Sequence, residues 1–141
     1  MRKNIMTAAG VTAAAVTLSL SMSGSAQAAP TALDAGSSNC STTGAYGAMS
    51  WTNYWGPGYT INLKFTLTDK LADGNSVAVR LISKDTFGRI HNWKWNKNSQ
   101  GNGRTSTWNT TASHVNGLFD IGIQVARLNS DGSVKNTCTK W

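Results

Sequence analysis

Ile61-Asn62-Leu63-Lys64-Phe65-Thr66-Leu67, residues 61–67, alternates apolar and polar side chains without a break. Side chains of a strand point to opposite faces in turn, so this stretch reads as a half-buried strand with Ile61, Leu63, Phe65 and Leu67 inward. The same period returns downstream. Val77, Val79 and Leu81 alternate with Ala78, Arg80 and Ile82, and Phe119, Ile121, Ile123 and Val125 alternate with Asp120, Gly122 and Gln124. Weaker strands are expected over 44–51, 89–95, 104–111 and 134–139. Asp73-Gly74, Asn116-Gly117 and Asp131-Gly132 tolerate the positive φ of tight turns, and Asp85-Thr86-Phe87-Gly88 suits a short hairpin. No stretch has helical periodicity. The expected fold is all-β: a single small antiparallel β-sandwich, or small barrel, of about seven strands.

Working outward to the ends, Arg2 and Lys3 precede an apolar run from Ile5 to Leu20, and Ala26-Gln27-Ala28 follows. Basic start, apolar middle and A-x-A cleavage site together make a secretory signal. Ser and Thr interrupt the run too often for the ~20 apolar residues that an anchor needs. The reading divides the chain into a signal peptide over 1–28, a flexible arm over 29–39 and a β-sandwich binding domain over 40–141. The product is expected to be secreted and extracellular, with no membrane anchor. In the arm only Leu33 is a large apolar side chain.

The two cysteines, Cys40 and Cys138, lie near the two ends of the expected mature chain. Export to an oxidising compartment favours pairing them, and no CxxC spacing suggests a metal or redox site. Without Arg2 and Lys3 there are 11 basic residues against 6 acids, all aspartate, a net charge of +5. That excess is spread along the chain without a basic run, which makes nucleic acid an unlikely partner.

Catalytic signatures are missing. His91 and His114 are the only histidines, and no nucleophile elbow, zinc-binding helix motif, phosphate loop or dinucleotide fingerprint occurs. Four of the aspartates, Asp69, Asp73, Asp85 and Asp131, fall at turns, where the side chain has a local structural use. The sequence predicts neither an enzyme nor a cofactor or metal site.

Aromatic residues carry the functional reading. Residues 46–59, "YGAMSWTNYWGPGY", hold all three tyrosines and two of the six tryptophans. Tyr54, Trp55 and Tyr59 surround Gly56-Pro57-Gly58, which marks a loop. They are either exposed interface anchors or rings folded back over the sheet edge. In residues 91–103, "HNWKWNKNSQGNG", Trp93 and Trp95 are two apart and therefore share one face of a strand with His91. That face is either core or a platform, and an edge strand with one tryptophan half covered reconciles the two, with 96–103 as its flexible tip. The candidate binding residues are thus Trp93, Trp95, His91, Tyr54, Trp55, Tyr59 and Leu33.

Three functions suit these residues: a protein-binding adaptor, a carbohydrate-binding protein stacking Trp and Tyr on sugars, and an inhibitor or antimicrobial protein. The A-x-A signal at 26–28, the polar arm, the spanning Cys40/Cys138 pair and the all-β body together resemble the small secreted adaptor subunits of actinobacterial umbrella toxin particles. The resemblance covers overall layout and brings no diagnostic motif. It implies a non-catalytic bridge between a lectin-bearing subunit and a toxin scaffold, so a secreted protein is the leading partner and a polysaccharide the alternative.

Overall fold

A computed structural model describes residues 34–141. The signal segment 1–28 and arm residues 29–33, Leu33 included, lie outside the described residues. Nine strands follow in order: β1 (Ala35–Thr42), β2 (Ala45–Thr52), β3 (Ile61–Asp69), β4 (Ser76–Lys84), β5 (Ile90–Asn92), β6 (Asn96–Asn98), β7 (Thr105–Ala112), β8 (Asp120–Leu128) and β9 (Val134–Lys140). One sheet has the order β1-β2-β3-β7; the other has β5-β4-β8-β9, with β6 also paired to β4. Every pairing is antiparallel. The result is an open sandwich and not a barrel.

The period-two reading of 61–67 holds at each position. Ile61, Leu63, Phe65 and Leu67 are buried, and their cross-strand partners Ala112, Thr110, Trp108 and Ser106 place the inward row of β7. From the facing sheet Val77, Val79, Leu81, Ile123 and Val125 complete the core, with Met49 and Leu118. Cys40 on β1 and Cys138 on β9 form a disulfide that joins the two sheets along one side of the sandwich, with Cα atoms 5.8 Å apart. Three turns rest on glycines the sequence marked: Gly74, Gly117 and Gly132 all have positive φ.

Some expectations are corrected. The first strand begins at Ala35 and pairs with β2 from Thr52 back to Ala45, so residues 35–39 belong to the sheet and not to a flexible arm. There is room for them because Gly36 faces Trp51, where any Cβ would collide with the ring. Phe119 is half exposed, since the chain is still in the β7–β8 loop there and enters β8 only at Asp120.

The expected strand over 89–95 is split, and 96–98 is strand, not loop tip. In β5 the register pairs Ile82 with Asn92; in β6 it pairs Val79 with Asn96. Two residues of β4, Arg80 and Leu81, therefore stand opposite three, Trp93, Lys94 and Trp95. One extra residue is a β-bulge, and a one-residue slip exchanges the faces of everything beyond it.

Candidate functional site

The bulge separates the two tryptophans that the spacing put together. Trp93 is on the core side: its amide donates to the Leu81 carbonyl at 3.1 Å, its indole Nε1 donates to Ser83 Oγ at 3.0 Å, and its ring packs on the main core. Trp95 is on the opposite face of the same sheet. There the Arg80 guanidinium lies 4.2 Å from its ring centroid, and the ring covers a small cluster of Ala78, Ala126 and Leu128. Arg80 Nε in turn donates to Gln124 Oε1 at 2.8 Å, and Gln124 Nε2 donates to Thr139 Oγ1 at 2.9 Å. The shared Trp93–Trp95 platform is therefore absent. Both rings are partly buried and both have structural contacts.

A different surface gathers the exposed apolar groups. Loops 53–60, 85–89 and 113–119 meet at one end of the sandwich, where the described chain also starts, at Asp34, and ends, at Trp141. Seven of the nine exposed large hydrophobic side chains among the described residues lie there: Trp55, Tyr59, Phe87, Ile90, Val115, Phe119 and Trp141. Only Leu71 and Val134 are at the far end. Val115 is 95% exposed and Phe87 70% exposed, so these side chains do not cover one another.

The end is stiffened from beneath. Leu118 is fully buried; its amide donates to the Pro57 carbonyl at 2.8 Å, and its carbonyl accepts from Tyr54 Oη at 2.7 Å. Thr86 N donates to Asn116 O at 3.1 Å and Phe119 N to Lys84 O at 2.9 Å, which ties the second loop to the third. Asp34 holds the first loop by accepting from Asn53 N on its side chain and from Tyr54 N on its backbone. Burial raises the Tyr54 hydroxyl above its ordinary pKa, with a smaller contribution from the Asp120 carboxylate. Tyr54 Oη serves as a strut, donating to the backbone carbonyl of the third loop.

Asp85 is the fixed point of the middle loop. Its buried carboxylate accepts from the amides of Phe87 and Arg89, from Arg89 Nε at 2.8 Å, and contacts His91 Nε2 at 3.1 Å. Burial alone pushes such a carboxyl up, but the hydrogen bonds from His91 and Arg89 and the two amides outweigh it, leaving Asp85 well below the ordinary range. The His91 ring lies against His114 with centroids 4.0 Å apart, so it too ties two loops together. Phe87 is thereby held at the tip of the hairpin with Arg89 over its ring, 4.8 Å from the centroid.

Of the residues named from sequence, Trp55 and Tyr59 are on this surface, Tyr54 and His91 support it from below, and Trp93 and Trp95 are elsewhere. Phe87, Ile90, Val115, Phe119 and Trp141 were missed as surface residues. Phe87 and Val115 had a signal, because each is a central residue of a turn closed by Gly88 N to Asp85 O and Gly117 N to His114 O, both 2.9 Å. Side chains at such positions point away from the body. Chemically the surface offers apolar contact area with few charges, and no cluster among the described residues could hold a metal ion.

No family model, no curated protein and no solved structure matches this chain.

Proposed function

We propose that this is a secreted, non-catalytic protein-binding domain that docks through the aromatic end formed by loops 53–60, 85–89 and 113–119. One observation carries the reading: seven large apolar side chains exposed at one end of the sandwich, five of them on loops that are hydrogen-bonded to each other and to the core. Exposed large apolar side chains gathered in one region mark contact surfaces, whereas scattered single ones do not. Interface hot spots are enriched in such aromatic anchors, and a preformed surface orders few groups on binding. Secretion is supported by the 1–28 leader and by the Cys40–Cys138 disulfide, and no helix among the described residues is long and apolar enough to cross a membrane. In its finer form the proposal is an adaptor bridging subunits of an extracellular antibacterial toxin particle, for which the layout resemblance is the support.

The test is a triple substitution, Trp55→Ser with Phe87→Ser and Val115→Ser, measured for binding to proteins co-secreted with the chain. All three side chains are exposed, so the melting temperature should stay within about 2–4 °C. Affinity should fall by about 100-fold or more, since a single hot-spot truncation costs ~2 kcal/mol or more. Retention on insoluble polysaccharide, with no protein partner and sensitivity to Trp55→Ser alone, would support the carbohydrate alternative instead.

A further inference from the structure

The sandwich has four outer strands, and three of them are protected. Strand β1 lies against β9 across the disulfide. Strand β9 carries Lys135 and Lys140, and its pairing with β8 has a register shift. The β5–β6 edge is two three-residue pieces around a bulge, with Lys94 and Lys97. Short strands, lysines and bulges are the ordinary means by which edges are kept from pairing. Strand β7 has none of them. It runs eight residues, Thr105–Ala112, as TSTWNTTA, with no charge, proline, glycine or bulge, and no strand among the described residues pairs with its outer side.

Beside it the sandwich is open. A cleft of 130 Å³ lies between β7 and the bulged strand, with Leu63, Phe65, Leu81 and Trp93 at its floor and Lys94 and Thr110 at its rim. Thr110 is on the inward row of β7, opposite Leu63, yet it is exposed because none of the described residues of the other sheet covers it. A strand added to β7 would turn every second side chain toward the facing sheet, and those beside Thr110–Ala112 would enter this cleft. The charges that line the depressions along the edge have one sign. Lys64 is paired next to Asn109, Lys94 is on the cleft rim, and Lys97 lies beside Thr105–Trp108, while no aspartate lines any of the three depressions along β7.

We propose that β7 is a strand-addition site for an extended, acidic peptide segment of another protein, whose alternate apolar side chains enter the cleft over Trp93. Backbone pairing supplies affinity in this mode and the alternate pockets supply specificity. A second copy of the chain is a poorer occupant, because pairing β7 with itself would bring the neighbouring β5–β6 edges, with Lys94 and Lys97, toward their own images. The site adds a second contact surface to the docking reading and does not use the aromatic end.

The probe is a synthetic peptide, acetyl-Glu-Val-Glu-Val-Glu-Val-Glu-amide, added to the disulfide-bonded chain with amide hydrogen exchange followed by NMR. Outward amides of β7 should exchange at least about tenfold more slowly with saturating peptide. The same peptide N-methylated on alternate residues, or with Lys for Glu, should give no protection. Thr110→Lys adds an inward-pointing charge of the kind that blocks edges, and Lys94→Glu reverses the rim. Each should weaken the peptide at least about tenfold while melting within about 2 °C of the parent. Protection confined to the aromatic end would overturn the proposal. So would equal binding of the Lys peptide, or β7 amides already protected without peptide by a self-associated dimer.

Discussion

The Asp85 carboxylate is hydrogen-bonded to the amides of Phe87 and Arg89 and to the Arg89 and His91 side chains, and its protonation should be visible in stability. Its pKa is depressed in the folded state, so its contribution is fully present above the unfolded value of about 4 and is lost as pH falls through the lower folded value. Thermal melts of the parent and Asp85→Asn across pH 2–7 should therefore differ most near neutrality and converge in acid, with the parent higher throughout; a constant gap would contradict this role. An amide at 85 can offer one acceptor oxygen where the carboxylate offers two, so the Phe87 hairpin should also exchange faster. The tryptophans should separate by site. Trp93→Ala opens a half-buried core position and should cost about 2–3 kcal/mol, below the ~3–5 of a fully buried tryptophan. Trp95→Ala removes a cation–π contact with Arg80 and the cover over Ala78, Ala126 and Leu128, and should cost about 1–2 kcal/mol. Urea denaturation of both variants checks the order, and an unchanged midpoint for Trp95→Ala would put its ring in solvent.

The bulge in the β5–β6 edge shows where sequence reading stops. Strands β3, β4 and β8 are legible because each has a partner on both sides and one face on the core, so alternation is enforced along their length. An edge strand has a free side on which an extra residue costs little, and alternation around residues 93–95 cannot reveal it. Phe119 was hidden differently: it continues the pattern of β8 by composition while the backbone is still in the loop before Asp120. Deleting Lys94 should remove the extra residue and force Trp95 toward the core face already occupied by Trp93. The expected outcome is a loss of about 1–3 kcal/mol from overpacking, or an edge strand detached from β4, read as loss of exchange protection at Val79 and Leu81. A variant as stable as the parent would mean that the register on either side is not fixed by the bulge. At β1 the small side chain is the requirement: Gly36→Val should clash with Trp51 and expel the strand's first residues, which limited proteolysis near Ala35 would detect.

Across the whole molecule, the disulfide and the aromatic end have separate tasks. Cys40–Cys138 closes a loop across 98 positions and joins the sheets on the side away from the open β7 cleft. Cys138→Ser should lower stability by about 2–5 kcal/mol without altering the surface chemistry, and equilibrium unfolding measures it. The sandwich class, the core rows and this disulfide were readable from alternation and from two cysteines in a chain whose start reads as a secretory signal. The aromatic end was only partly so: Trp55 and Tyr59 are four residues apart in one loop, whereas Phe87, Ile90, Val115, Phe119 and Trp141 join them only because the topology brings three loops, the start of β5 and the final residue to one end. The central claim is that this end is where another protein binds. Hydrogen–deuterium exchange of the chain alone and in its purified complex with a co-secreted protein tests that most directly. The account predicts added protection over residues 53–60, 85–90 and 115–119; protection that leaves these loops unchanged while a partner is bound would contradict it.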